Sequence, residues 1–325
     1  MISTAADIGT GANHIANPSN TISSGTGATG PRTPPRAPAP RGSLAAARAA
    51  MLEWRLLLLW VLLSLLPALL MALPFWRLLG AGLDYSVYAP ALAQELDMLA
   101  LTDLVHLYGR SGAAVPISLA LAVALTLLLS PFLTGMAMSA ARAEARHDFG
   151  GLVAGGLREY PRMARMLAVA LLPLVAAAFF GSAAQGMAER YSETALLASN
   201  AALAGLAATI VMSVLLVLAH ASIDCGRAVL ALDRRRRSAF KAWWQGSKLL
   251  LRRPLAVLGA YLPLTILALI VAALLTLARV HLPRVDGAGF IAAFVLTQLV
   301  VLVLAWMRTA RLFALIDLAR RLNGG

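Results

Sequence analysis

The stretch WRLLLLWVLLSLLPALLMALPFW, at residues 54–76, decides the fold class of this chain. After Arg55 at its start, it carries no charged residue over about 20 positions, which is enough for a helix to cross a hydrocarbon core roughly 30 Å thick. Tryptophan stands at both ends of the stretch, and such amphipathic rings favour the headgroup region. The stretch therefore predicts a transmembrane helix.

Five further apolar runs have the same character. The 325-residue chain is 60% hydrophobic and only 13% charged, whereas soluble domains carry about 25% charged residues. Nearly all of the charge falls between the runs, which lie at residues 54–75, 115–136, 166–183, 196–218, 255–278 and 289–306. We therefore expect an all-α integral membrane protein, built as a bundle of six transmembrane helices.

The basic residues divide unevenly between the two sides of this bundle. Most of the 28 lysines and arginines fall in the N-terminal tail, in the loops after the second and fourth runs, and at the C-terminus. Because cytoplasmic segments retain an excess of lysine and arginine, we expect both termini to be cytoplasmic. The alanine-, leucine- and arginine-rich composition is typical of a high-GC bacterium and predicts the inner (plasma) membrane. Orientation and anionic lipid headgroups then account for the net charge of +13, without nucleic acid.

The domain organisation follows from composition. Residues 1–52 are rich in Ser, Thr, Gly, Ala and Pro, so they bury too little apolar surface to offset their ordering entropy, and we expect a disordered cytoplasmic tail. Residues 53–325 form the predicted transmembrane domain. Amphipathic segments near 82–110, 147–165 and 228–250 are predicted to be interfacial helices.

Paired charges recur after the second, fourth and sixth runs. In each case an aspartate follows an arginine six positions later, and the arginines recur at intervals of 85 and 84 residues: Arg142 and Asp148, Arg227 and Asp233, Arg311 and Asp317. This pattern favours three pseudo-repeated helix hairpins with these charges at equivalent places. Arginine-rich loops also produce such matches by chance, so coincidence stays open as the alternative.

Two other patterns concern lipid contact and helix packing. The small residues Ala201, Gly205, Thr209 and Ser213 recur every four positions and predict close helix approach at a central fourth helix. A basic cluster followed by two aromatic rings predicts contact with anionic headgroups, although cytoplasmic retention alone also explains the cluster. Its residues are Arg234, Arg235, Arg236, Arg237, Trp243 and Trp244.

Candidate catalytic or metal-binding chemistry is limited to one place. His220 and Asp224 are four residues apart on one predicted helix face, and Cys225 follows directly. A Cys–His nucleophile or a metal site needs further ligands, and the sequence offers no second cluster; Cys225 is predicted to lie in a basic loop. We therefore expect no catalytic, cofactor-binding or metal-binding residues, and a single cysteine excludes an intrachain disulfide.

Several short motifs resemble known membrane proteins. LPALL at 66–70, SPFLTGM at 130–136 and GGLREY at 155–160 are similar to an uncharacterised six-helix inner-membrane protein family of Gram-negative bacteria. FKAWW at 240–244 and RRP at 252–254 resemble a cytoplasmic link in the membrane domain of some glycerophosphodiester phosphodiesterases. The first resemblance implies a six-helix fold without a particular activity, and the second concerns a membrane domain alone.

These observations lead to a ranked set of functions. We expect a non-enzymatic membrane component, a scaffold or assembly partner, whose partners include membrane lipids and which needs no cofactor. The alternative is a transporter or channel for a neutral or lipid-like solute, which the repeat favours. A lipid-modifying enzyme ranks third, because such an enzyme needs convergent polar residues. A polar path between the helices would favour transport, and a dry bundle would favour the scaffold.

Overall fold

The computed structural model describes residues 43–83, 114–143, 147–195, 197–233, 238–282 and 287–323. Within these ranges the chain forms eight α-helices and no strand, in agreement with the predicted all-α class. The helices are α1 (Ser43–Leu52), α2 (Trp54–Leu83), α3 (Ala114–Arg142), α4 (Phe149–Thr194), α5 (Ala198–Leu232), α6 (Ala239–Arg252), α7 (Pro254–His281) and α8 (Gly287–Asn323).

Six of these helices are long and apolar enough to cross a membrane: α2, α3, α4, α5, α7 and α8. They coincide with the six predicted runs, so the prediction of a six-helix membrane bundle is confirmed and the chain is a multi-pass membrane protein. Consecutive helices pack as the hairpins α2–α3, α4–α5 and α7–α8, and α8 also packs against α1, α2 and α5.

The helices extend well beyond the predicted runs at one end of the bundle. At this end α3, α5 and α8 finish and α4 and α7 begin; we call it the basic end, because arginines collect there. Helix α4 has 46 residues, so at about 1.5 Å per residue it is far longer than a hydrocarbon core is thick. The part of α4 before residue 166 lies at the basic end, where it contacts α3 and the end of α5.

The interfacial helix predicted near 147–165 is helical, but it is not a separate element. Residues 149–165 form the first part of α4 and continue without a break through Pro161. A proline inside a helix costs about 3 kcal/mol or more, but here its neighbours Glu159 and Arg162 are held by contacts with α3 and α5. These tertiary contacts keep the helix continuous.

The segment predicted near 228–250 divides into two parts. Residues 228–232 complete α5, and α6 follows as a short amphipathic helix whose N-cap, Ser238, accepts a hydrogen bond from the Lys241 N–H. A face of small and apolar residues packs inward at helical spacing, and Pro254 starts α7 directly after α6 ends. Of the segment predicted near 82–110, residues 84–110 lie outside the described residues.

The end of the predicted tail is ordered. Residues 43–52 form α1, in which Ala46, Ala47 and Ala50 are buried. The Trp306 indole N–H of α8 donates to the Ala47 carbonyl at 3.1 Å. Residues 43–52, which were predicted to belong to the disordered tail, are therefore part of the helical domain, and residues 1–42 lie outside the described part of the chain.

The closest helix contacts are not where the small-residue stripe predicted them. A Cβ added to Gly205 would have nothing within 4 Å, and Thr209 and Ser213 are exposed. Helix α5 instead meets α6 at Gly226 and Gly246, where an added Cβ on Gly246 would lie 2.6 Å from the Cys225 carbonyl carbon. Glycine is required there because two helix backbones touch.

Candidate functional site

Glu159 of α4 is the centre of the first charged cluster at the basic end. Its two carboxylate oxygens accept from Arg142 of α3 at 2.6 Å and from Arg162 of α4 at 2.8 Å. The Arg142 and Glu159 side chains are 8% and 9% exposed, so the pair is largely removed from solvent. We call Arg142, Glu159 and Arg162 the Glu159 cluster.

The two arginines of this cluster also bind the end of α5. Arg142 Nε donates to the Ala231 carbonyl at 2.7 Å, and the Arg162 guanidinium donates to the carbonyls of Leu230 and Asp233 at 2.9 and 2.7 Å. The last carbonyls of a helix lack partners within that helix and carry its negative dipole end. The cluster thus caps α5 and joins it to α3 and α4.

Asp224 of α5 is the centre of the second cluster. It pairs with Arg227 on its own helix at 2.9 Å and with Arg311 of α8 at 3.7 Å. Arg311 donates to the Tyr261 hydroxyl of α7 at 2.7 Å, and its guanidinium lies 4.5 Å from the centre of that ring. The Asp224 cluster (Asp224, Arg227, Tyr261 and Arg311) therefore joins α5 to α8 through an ion pair, and α8 to α7 through a hydrogen bond and a cation–π contact.

A cavity of about 520 Å³ opens beside the Glu159 cluster. His147, Gly151 and the exposed Arg158 contribute to its lining, together with Arg142 and Arg162. The last two arginines already bind Glu159 and the end of α5. Both are therefore already engaged in contacts between helices.

The repeated arginines and aspartates have unlike surroundings. Arg142 belongs to the Glu159 cluster, whereas Arg227 and Arg311 share Asp224. The three arginines therefore do not have equivalent partners, and their equivalence within a repeat stays a prediction.

The three aspartates of the pattern differ as well. Asp148 caps the start of α4 by accepting from the Gly151 N–H at 2.8 Å. Asp233 follows the end of α5, where its carbonyl accepts from Arg162, and Asp317 pairs with Arg321 at 2.7 Å within α8. The hairpin pairing is present, while a threefold relation between the hairpins stays a prediction without support from these contacts.

The predicted headgroup cluster is only partly described. Residues Arg234, Arg235, Arg236 and Arg237 lie outside the described residues. Trp243 is half-buried and its indole N–H donates to Ser222 Oγ of α5 at 3.2 Å, so this ring fastens α6 to the bundle. Trp244 is exposed, and Lys248 Nζ lies 5.7 Å from its ring centre.

The sequence suggested that Cys225 lies in a loop, but the structure places it in a helix. Helix α5 continues to Leu232, and the cysteine is fully buried within it. His220 is exposed, and its Nδ1 lies 2.9 Å from the Leu216 carbonyl one turn earlier. Five residues correspond to about 140° around a helix, so the two side chains point in different directions. Within the described ranges, no three His, Cys, Asp or Glu residues are grouped to hold a metal.

Sequence reasoning missed Glu159, Arg162 and Tyr261. The Glu159–Arg162 pair has the i, i+3 spacing of a helical ion pair, which was a usable signal. Tyr261 is one of three hydroxyl-bearing residues in a mainly apolar run, with Thr265 and Thr276. Its partner Arg311 lies 50 residues later, so nothing local identified the pair. No family model matches the chain, and neither a curated protein nor a solved structure shows significant similarity to it.

Proposed function

We propose that this chain is a non-enzymatic component of the bacterial inner membrane, a scaffold or assembly partner with its basic end and both termini in the cytoplasm. The observation that carries the proposal is that the buried charged side chains connect helices. Arg142 of α3, for example, binds both α4 and α5. Charged side chains that bind helix ends and one another keep the surface of the basic end rigid. A fixed helical layer above six membrane spans is suited to receiving a partner protein.

The surface available to a partner includes one side of α6. Phe240 and Trp244 are 51% and 52% exposed there, while Ala242 on the same helix is fully buried. Exposed aromatic side chains are enriched among the residues that dominate protein interfaces. Anionic lipid headgroups are the second proposed partner of this region, because lysines, arginines and tryptophans are concentrated in and around α6.

In vivo photo-crosslinking of the full chain tests the scaffold. A photoreactive residue at Phe240 or Trp244 should give a discrete crosslinked product with another protein, and one at the buried Ala242 should not. If neither exposed position crosslinks to a protein, the scaffold proposal is wrong. A product at all three positions would show nonspecific labelling and remove the support as well.

The orientation has its own test. Reporter fusions after Arg146, Arg237 and Arg321 should be cytoplasmic, whereas fusions after Arg110, Tyr191 and Arg284 should be periplasmic, because arginine and lysine are retained inside. An inverted pattern would place the basic end in the periplasm and contradict the proposal.

Handling of a neutral or lipid-like solute is the second candidate function. It is favoured by an apolar groove of about 440 Å³ between α4, α5, α6 and α7. Transport requires movement of a solute between compartments, so uptake into vesicles containing the purified chain distinguishes it from the scaffold. Equal uptake by vesicles with and without the protein would contradict transport and leave the scaffold as the remaining candidate.

A further inference from the structure

A second cavity, of about 510 Å³, lies between α6 and the ends of α5 and α8, on a different face of α6 from the apolar groove. Helix α6 contributes Gln245, Lys248, Leu249 and Arg252, whose spacing places them on one helix face. We call it the basic cavity, because Lys248, Arg252 and Arg253 line it, and none of the described residues that line it is acidic.

The three cations of the basic cavity lack an acidic partner. In the Glu159 cluster, by contrast, two arginines share one carboxylate. Lys248, Arg252 and Arg253 are exposed, and none of them forms an ion pair with another residue in the described ranges. Helix α6 itself contains no aspartate or glutamate. Like charges along one cavity wall repel one another, and an anion between them would relieve this repulsion.

The other half of the lining is apolar. It is formed by Val229 of α5, Leu249 of α6, and Ala319 and Leu322 of α8. Cavities of about 300–1,000 Å³ that combine apolar walls with a few polar groups are typical of small-molecule sites. The basic cavity therefore has room for an organic body beside an anionic group, and it is larger than a simple ion needs.

The walls of the cavity project beyond the membrane spans. At 1.5 Å per residue, Val229 lies about 16 Å along α5 past Leu218, where the apolar run ends. Ala319 lies about 20 Å past Trp306 along α8 by the same measure. The basic cavity is therefore reached from the aqueous phase at the basic end.

We propose that the basic cavity binds a small organic phosphate from this aqueous phase. The phosphate lies among Lys248, Arg252 and Arg253, and the organic body lies against Val229 and Leu322. A phosphate monoester carries a charge of about −1.5 to −2 at pH 7 and three acceptor oxygens, and arginine binds phosphate through two parallel hydrogen bonds. A carboxylate, with one charge, would leave more of the cavity's positive charge uncompensated. This site goes beyond the scaffold function and does not depend on it.

Equilibrium dialysis of the full chain in a neutral detergent tests the chemistry of the ligand. The probes are phenyl phosphate, benzoate and inorganic phosphate, which separate the phosphate from the organic body. Phenyl phosphate should bind about tenfold more tightly than either of the others, because only it supplies both parts. Equal binding of benzoate would overturn the phosphate, and equal binding of inorganic phosphate would overturn the organic body. Absence of saturable phenyl phosphate binding would overturn the whole proposal.

Variants test the place of binding. Lys248→Gln with Arg252→Gln should weaken phenyl phosphate about tenfold, because two exposed cations are lost. Gln245→Trp keeps all three cations and fills the cavity, so it should weaken binding at least as much. Lys241→Gln and Lys241→Trp are the matched controls, since Lys241 is exposed on α6 and does not line the cavity. Wild-type affinity in either cavity variant, or an equal loss in its control, would overturn the site.

Competition distinguishes the source of the anion. Phosphatidylglycerol added to the detergent should not displace phenyl phosphate; displacement would assign the cavity to a lipid headgroup and overturn the aqueous source. Displacement by a glutamate-rich peptide at a lower concentration than phenyl phosphate itself would assign it to an acidic segment of a partner protein and overturn the small molecule. Phe240 and Trp244, the crosslinking positions, do not line this cavity, so failure of the scaffold and failure of phosphate binding are separate results.

Discussion

The basic end and the opposite halves of the membrane spans are built in different ways. At the basic end Met136, Met138 and Leu315 are 0–1% exposed, whereas Phe179 and Phe290 in the far halves are 67% and 64% exposed. Only 6% of the residues are buried in the most apolar window of α5. The helices are packed together at one end and present hydrocarbon to their surroundings along the rest.

The hydrogen bonds divide in the same way. In the far halves, hydroxyls such as Thr209 and Thr276 donate to carbonyls four residues earlier on their own helix. At the basic end, Arg142, Arg162 and Arg311 reach different helices. Lipid tails are as apolar as leucine, so a membrane span gains little free energy when a contact with lipid is replaced by a contact with another span. At the basic end, by contrast, charged side chains connect different helices.

The largest effect on stability is expected when the charge of Glu159 is removed. Glu159→Gln leaves Arg142 and Arg162 without their carboxylate, and breaking a buried pair costs about 3–5 kcal/mol. The free energy of unfolding, measured by detergent titration in mixed micelles, should fall by that amount. The control Asp317→Asn breaks the more exposed pair with Arg321 and should cost about 0–1 kcal/mol. Equal losses in the two variants would show that burial at the basic end does not matter.

A smaller loss is expected at the Asp224 cluster. Tyr261→Phe removes the hydroxyl that accepts from Arg311, and a hydrogen bond to a charged group contributes about 1.5–3 kcal/mol. The ring remains, so the cation–π contact is kept. Tyr191→Phe is the control, because Tyr191 is an exposed tyrosine in the far half of α4. The same micelle titration measures both, and an unchanged stability of Tyr261→Phe would mean that the hydroxyl contributes nothing to holding Arg311.

The next largest loss of stability is expected at the contact between α5 and α6. Gly246→Ala places a methyl group against the backbone of Cys225 and Gly226, and such overpacking costs about 1–3 kcal/mol. Limited proteolysis between α5 and α6 should accelerate, because α6 is pushed away from α5. Gly259→Ala is the matched control, since nothing lies within 4 Å of its added carbon. Faster cleavage in the control would point to a general effect of losing a helical glycine.

The smallest effect is expected in the far halves. Thr209→Val removes a local hydrogen bond to Gly205 and a weak 3.4 Å contact from Gln185. Hydrogen bonds between membrane helices average about 0.6 kcal/mol, so unfolding should change by no more than this. A loss comparable to that of Glu159→Gln would break the comparison between the two regions.

The sequence by itself determined the class, the number of spans and their approximate places. Long uncharged runs have few alternatives in lipid, because each backbone polar group must be bonded within its own helix. The clustering of arginines beyond the even runs also located the basic end. These are local properties, and they need no knowledge of which helices touch.

Only the tertiary structure decided how the charges are used. Arg142, Arg227 and Arg311 look equivalent along the chain, yet the first binds Glu159 and the others share Asp224. The stripe at Gly205 looked like a contact, but a Cβ added there meets nothing within 4 Å, whereas the backbones of α5 and α6 touch at Gly226 and Gly246. A charge or a glycine acquires its role from whatever faces it, and the facing residue comes from another helix. Spacing along one helix does not contain that information.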